Sequence, residues 1–171
     1  MDLIGRLSST SRRAWLTVIA LVVIGLPLHT AIKTSADRGM LAQGKRAPVL
    51  QGPTLGGGAY DSTRDSGRLL VVAFIDPTRA SSDDQAIALN QWRSEYTADN
   101  EPVVFVVVLT GGTVAQQLQY AQRYGFNLDQ VVVDRGGFRQ QPFRVTETPT
   151  VFVIDRVGVL RFVDEGVVRA R

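Results

Sequence analysis

The chain of 171 residues has no cysteine and a single histidine, His29. The first absence removes disulfide bonds, thiol nucleophiles and thiol–disulfide exchange, which needs a thiolate to attack a sulfur. The two together remove zinc held by cysteine and histidine. Beyond residue 29 no Ser/His/Asp arrangement can be built, and a Ser-Lys variant would have only Lys45 to draw on. A cysteine-free chain is compatible with an oxidising compartment without requiring one. A basic domain surface is missing as well, although the pI of about 9.7 suggests otherwise. Up to Lys33 the chain carries Arg6, Arg12, Arg13 and Lys33 against Asp2, and the remainder has 15 basic and 15 acidic residues. That neutral remainder gives no support to nucleic acid binding, which calls for a basic stripe. What is present, 44% apolar residues, 20% charged residues and 16 glycines, reads as one globular domain with an appendage.

The appendage is N-terminal. Residues 1–13 are polar and basic, and residues 14–32 carry no charge apart from the titratable His29. At about 1.5 Å per helical residue, that segment just crosses a hydrocarbon layer of roughly 30 Å. Two readings compete. A cleaved export signal has passable small-residue sites at His29-Thr30-Ala31 and Thr34-Ser35-Ala36, and Ser11-Arg12-Arg13-Ala14-Trp15-Leu16 resembles the twin-arginine export motif. A retained anchor would place Trp15 at the interface and keep Arg12 and Arg13 inside. We divide the chain into a cytoplasmic N-terminus at 1–13, a transmembrane anchor or uncleaved signal at 14–32, a linker at 33–46 and a domain at 47–171. The bilayer is then a partner, and the domain lies on the extracytoplasmic side. His29, at the end of the apolar segment, reads as an interfacial residue rather than a cofactor ligand.

The domain is organised around Leu69-Leu70-Val71-Val72-Ala73-Phe74-Ile75, an apolar run that stops at Asp76-Pro77. Such a run predicts a fully buried central strand. Ser82 with Gln85 has the form of a capping box, predicting a helix from there to about Tyr96 with Leu89, Trp92 and Tyr96 on one face. Val103 to Leu109 is a second apolar strand, so the unit is a right-handed βαβ with a parallel pair. Earlier, Ala47-Pro48-Val49-Leu50 begins the domain and Gly56-Gly57-Gly58 marks the turn of a hairpin. Later, Thr113 with Gln116 predicts a second capping box, on a helix with Val114, Leu118 and Ala121 facing inward and Gly125 as its terminator. A short edge strand at Val131 to Val133, a helical turn near Phe143, and a terminal hairpin of residues 151–154 and 159–163 complete an α/β domain.

The central strand with its loop, and Thr146-Glu147-Thr148-Pro149 before the strand at Val151, together resemble the thioredoxin fold. They resemble most closely the membrane-anchored TlpA and ResA type within the AhpC/TSA-like group. The resemblance implies a thioredoxin-like mixed sheet flanked by helices, a Cys-x-x-Cys pair at a helix N-terminus, and a cis proline facing it. Here Thr148-Pro149 supplies the proline half, and the missing cysteines would fall at about Arg79 and Ser82. The chain resembles a degenerate member that cannot perform the family's reaction. Copper delivery of the kind seen in related Sco-like proteins would need a cysteine pair and a domain histidine, so it is not expected either. The fold normally ends in a helix that would have to follow Gly166, where only five residues remain. An apolar strip beside the Leu89/Trp92 helix is therefore expected to be partly uncovered and to mark an interface.

Candidate partner-binding residues are Thr78, Arg79, Ser81 and Ser82 in the loop, with Thr148 and Pro149 opposite. Backbone N–H groups at a helix start attract anions or carbonyl oxygens, and Arg79 adds a forked donor. The plainer reading of the loop is a solvated turn with an N-cap, in which Asp83 and Asp84 are first-turn carboxylates favoured by the helix dipole. No catalytic residue, cofactor or metal site is assigned. The expected function is a redox-inactive, membrane-tethered structural or assembly subunit of a membrane protein complex, in a bacterial inner membrane with its soluble domain on the periplasmic side. The alternative is a peptide-binding chaperone or adaptor for exported proteins. An enzyme of another reaction type would need a deep pocket lined by Arg79, Asp76 or Arg144.

Overall fold

Residues Leu69–Ile75 form a strand whose seven side chains are all buried. A strand with no wet face needs a hydrogen-bonded neighbour along each edge and a layer against each side. The computed structural model, which describes residues 41–98, 103–137 and 140–167, supplies all four. Its elements in chain order are β1 (Gln51–Pro53), β2 (Ala59–Asp61), β3 (Leu69–Ile75), α1 (Ala80–Ala98), β4 (Val103–Leu109), α2 (Val114–Arg123), β5 (Val131–Val133), α3 (Gln140–Phe143), β6 (Thr150–Ile154) and β7 (Leu160–Glu165). The main sheet has the order β5-β4-β3-β6-β7. β4 runs parallel to β3 with Leu69 opposite Val103 and Ile75 opposite Leu109. β6 runs antiparallel to β3 with Phe74 opposite Thr150. This is the mixed α/β sheet that the thioredoxin-like resemblance implied.

One sheet face carries Leu70, Val72 and Phe74 with Val106, Val108, Phe152 and Ile154, packed against Leu50, Tyr60 and Phe143 from the segments laid across it. At its centre Phe74, Phe143 and Phe152 meet with ring centroids 5.3, 5.7 and 5.2 Å apart. The β1–β2 hairpin turns at Gly57, whose φ of 87° is open to glycine at no steric cost. The chain joins this layer before residue 47. The Gly44 amide donates to the Leu160 carbonyl at 2.8 Å, and the Leu160 amide donates to the Lys45 carbonyl at 2.9 Å.

The opposite face carries α1 and α2, because parallel crossovers proceeding in one direction along a sheet place their helices on the same side. Leu89, Trp92 and Tyr96 are buried as expected, and the Tyr96 ring lies 6.3 Å from that of Phe105 on β4. Two expectations need correction. α1 begins at Ala80 rather than at Ser82, and Ser82 and Gln85 are both fully buried within it. Positions three apart can form a capping box, but inside a helix they also share a face, and here they extend the buried stripe of Ala86 and Leu89. On α2 the Thr113/Gln116 capping box is formed. The inward face, however, is Gln117, Tyr120 and Ala121, while Val114 is 44% exposed. Polar anchors chose that face: Gln117 Nε2 donates to the Gly111 carbonyl at 3.0 Å, and the Tyr120 hydroxyl donates to the Ser82 carbonyl at 2.6 Å.

On the β6–β7 half of this face Val151 is buried, Val153 and Phe162 are half-buried, and Asp164 is exposed. The partly uncovered strip comes down to Val153 and Phe162. The anticipated span at 14–32, together with His29, lies outside the described residues. Among the described residues no helix is long and apolar enough to cross a membrane.

Two predictions concern this core. Phe152→Ala removes the member of the aromatic trio that belongs to the sheet itself and should lower the unfolding free energy by about 3–5 kcal/mol, read from denaturant unfolding. Burial pushes the phenols of Tyr60 and Tyr120 above their usual range, with Asp65 hydrogen-bonded to Tyr60 and the charge of Asp83 near Tyr120 acting in the same direction. The folded state then keeps protons that the unfolded chain releases above about pH 10, so stability is full below that pH and falls as pH rises through it. Tyr60→Phe combined with Tyr120→Phe should flatten this loss, measured as urea midpoints at about pH 8 and about pH 11.

Candidate functional site

The carboxyl ends of β3 and β4 and the start of β6 meet at one end of the sheet. Ligands of open α/β sheets gather at the carboxyl ends of the parallel strands. Just past Ile75, Asp76 builds the loop. Its Oδ1 accepts from the Thr78 amide at 2.9 Å and from the Thr78 hydroxyl at 2.7 Å. Its carbonyl accepts from the Arg79 amide at 3.0 Å, and its Oδ2 lies 3.6 Å from Arg79 Nε. An aspartate bonding its own backbone two residues on starts a turn that leads into a helix. That explains why α1 opens at Ala80 without a serine cap.

β4 makes room for this carboxylate. The Thr110 amide donates to the Ile75 carbonyl at 2.9 Å, so the next residue lies beside Asp76. That residue is Gly111, and any Cβ there would overlap the Asp76 side chain. Just past β5, the Asp134 amide donates to the Leu109 carbonyl at 2.9 Å, and Asp134 is 2% exposed. On the other side of the loop, the Phe74/Thr150 register puts Thr148-Pro149 next to the end of β3. The Thr148–Pro149 peptide is cis, as the resemblance implied. The Pro149 carbonyl accepts from the Gly166 amide at 2.8 Å, whereas the Thr148 backbone has no hydrogen bond among the described residues.

The six sequence-predicted positions therefore occupy one place with different access. Thr78, Arg79 and Ser81 are exposed, Thr148 is half-buried, Pro149 is buried, and Ser82 has no exposed surface. The Ser82 Oγ has no hydrogen-bond partner among the described residues, while its carbonyl holds the Tyr120 hydroxyl. Sequence reasoning missed the parts played by Asp76 and Gly111. The Asp-Pro ending of the apolar run was the available sign for the first, and nothing local marked the second. Among the described residues no group of three His, Cys, Asp or Glu could hold a metal ion. A cavity of about 220 Å³ lies at the other end of the sheet, and Asp76, Arg79 and Arg144 are not among its lining residues.

No model of a known protein family matches the chain, and no curated protein matches it. Solved structures do. A secreted disulfide oxidoreductase of Mycobacterium tuberculosis, described as homologous to E. coli DsbE, is 20% identical over 71% of this chain and 87% of its own, with a TM-score of 0.62. A thiol:disulfide interchange protein of the thioredoxin family from Chlorobium tepidum is 20% identical over 76% of this chain and 91% of its own, with a TM-score of 0.65. The thioredoxin domain of a thiol-disulfide oxidoreductase from Bacteroides vulgatus is 15% identical over 75% of this chain and 90% of its own, with a TM-score of 0.63. The fold is thioredoxin-like. Each of these proteins is named for disulfide chemistry, and this chain has no thiol with which to perform it.

A direct test asks whether only the sulfur is missing. Arg79 and Ser82 flank the turn that opens α1, with the Ser82 amide donating to the Arg79 carbonyl at 3.0 Å, close enough for a modest adjustment of that turn to bridge two thiols placed there. The Arg79→Cys/Ser82→Cys variant should form an intrachain disulfide under mild oxidation and acquire insulin-reducing activity where the parent has none. The thiol at position 79 should be acidified by the helix N-terminus. Two thiols that stay free after oxidation would show that the loop has drifted from the redox geometry.

Proposed function

We propose that this protein is a redox-inactive thioredoxin-like subunit, tethered by residues 14–32 to a bacterial inner membrane, with its domain on the periplasmic side acting as a structural or assembly element of a membrane complex. The observation that carries this reading is a chain without any thiol on a scaffold whose sheet, helix start and proline loop are in place. A domain that cannot exchange disulfides retains its surfaces. Two are available for a protein partner: the half-buried pair Val153 and Phe162 on the β6–β7 half of the sheet, and the loop end with Thr78, Arg79, Ser81 and Thr148. The bilayer and the helices of partner subunits would receive the apolar segment, and no cofactor is called for.

A second reading, a peptide-binding chaperone or adaptor for exported proteins, is favoured by one observation. The Thr148 backbone, without a hydrogen bond among the described residues, lies next to the end of β3 from which the Arg79 loop leaves, where an extended peptide could add main-chain hydrogen bonds.

Extraction in a mild detergent should recover the chain at a fixed ratio with the same membrane proteins, and a deletion strain should lose assembly of that complex. A chain that migrates alone, with complexes intact in its absence, would overturn the subunit role. A photo-crosslinker in place of Arg79 separates the two readings: a discrete product fits the subunit, and a broad ladder of exported proteins fits the chaperone.

A further inference from the structure

The end of the sheet away from the Asp76 loop is where the described chain enters the domain. The Gly67 amide donates to the Arg156 carbonyl at 3.1 Å, the Ala47 amide donates to the Gly158 carbonyl at 2.9 Å, and Arg46 bridges to Val159. These bonds sew the entering segment, the residues before β3 and the β6–β7 turn into one surface around the cavity of about 220 Å³, whose lining includes Arg46, Val49, Arg68, Arg156 and Val157. Its charges are unequal. Asp65 is engaged by Arg68 at 3.0 Å and by the Tyr60 hydroxyl at 2.7 Å, and Asp155 is engaged by Arg161 at 2.7 Å. Lys45, Arg46, Arg64 and Arg156 are exposed beside them, Arg64 near the carboxylate of Asp61 and Arg156 with a contact of its own. The Arg46 guanidinium lies over Gly158 and has no ion pair among the described residues.

The same surface exposes apolar groups. Four large apolar side chains stand out as exposed among the described residues, and two of them, Val49 at 54% and Val157 at 66%, border this cavity among the arginines. Apolar tips ringed by arginine and lysine suit a lipid headgroup layer: the cations meet phosphates and the valines reach the acyl boundary. The distance agrees. Residues 33–40 separate the apolar segment from Leu41, and eight residues span at most about 28 Å fully extended.

We propose that this basic, valine-tipped end is a membrane-surface contact that binds anionic phospholipid headgroups through Lys45, Arg46, Arg64 and Arg156 and inserts Val49 and Val157. The proposal takes from the tether reading only the nearness of a bilayer. Contact here stands the domain upright, with the Asp76 loop and Thr148 facing away from the membrane. The loop would then be presented to whatever lies in the aqueous space.

The absence of cysteine makes the test clean, since one introduced thiol gives one labelling site. Full-length chain carrying a bimane on Ser66→Cys, or on Thr146→Cys as the far-end control, is reconstituted in phosphatidylcholine vesicles with and without phosphatidylglycerol, each containing a nitroxide-headgroup quencher. The bimane at 66 should be quenched about threefold or more in anionic over neutral vesicles, in keeping with roughly one favourable contact per basic residue. The difference should shrink in high salt, which shortens the screening length. It should vanish with Lys45→Glu/Arg46→Glu/Arg64→Glu, and the bimane at 146 should not respond. Quenching at 66 that ignores lipid charge, or equal quenching at 146, overturns the proposal. Flotation separates it from the tether: a chain that fails to float with neutral vesicles refutes the tether alone. In that case, salt-sensitive flotation with anionic vesicles, abolished by the triple variant, still supports the contact, and its absence refutes it.

Discussion

The structure depends on one constraint, that β3 has no side open to water. Leu70, Val72 and Phe74 point to one face and Leu69, Val71, Ala73 and Ile75 to the other, and all seven are buried. Burying an aliphatic or aromatic side chain of this size is worth about 1.5–3 kcal/mol, and that return is collected only if both faces are covered. The hairpin, the entering segment with Leu50, and Phe143 cover one face. Both helices cover the other. The register of β3 with β4 and β6 then fixes what lies beyond its ends: Asp76, Gly111 and Thr148 past Ile75, and Gly67, Arg156 and Arg46 before Leu69. The arrangement at both ends of the sheet follows from enclosing a single strand.

Much of this was legible because the physical signals were long and redundant. Seven-residue valine-rich runs bounded by Asp-Pro or Gly-Gly cannot be amphipathic, so β3 and β4 could be read as buried and parallel. The Thr113/Gln116 cap held because the residues around it are exposed and have no competing use. The Ser82/Gln85 pair failed for the opposite reason. Three-residue spacing serves a cap and a buried helix face equally well, and the choice was made by Asp76, six residues upstream, together with Tyr120, thirty-eight residues downstream. The α2 face was misjudged because apolar residues were counted, whereas Gln117 and Tyr120 enter by satisfying the carbonyls of Gly111 and Ser82. Long-range hydrogen bonds leave no periodicity in a sequence.

The loop builds a helix start without any thiol. A helix start normally leaves N–H groups to be met by a side chain, water or ligand. Here the Asp76 carboxylate takes the Thr78 amide and hydroxyl, Arg79 closes back on Asp76, and Gly111 keeps the space that the carboxylate needs. Ser82 lies beneath, its carbonyl tied to a buried tyrosine whose phenol burial keeps protonated. These contacts are structural, and none requires a thiol. The scaffold is self-sufficient at the place where its relatives by fold are named for sulfur chemistry.

Overall composition conceals the last organising feature. The chain beyond Lys33 is neutral by count, yet a count has no coordinates. Asp76, Asp83, Asp134, Glu147, Asp164 and Glu165 all lie at the carboxyl end of β3, against Arg79, Arg135 and Arg144. Arg46, Arg68 and Arg156 line the cavity at the other end, with Lys45 and Arg64 next to its lining residues in the chain, and Asp65 and Asp155 there pair with Arg68 and Arg161. Seven strand residues at about 3.3 Å each hold the two ends roughly 20 Å apart, more than a Debye length at physiological salt. The charges therefore act as two separate surfaces rather than as a neutral whole. A domain polarised along its central strand has a defined up and down in any field or beside any charged plane. Orientation then decides which of the two ends such a domain presents.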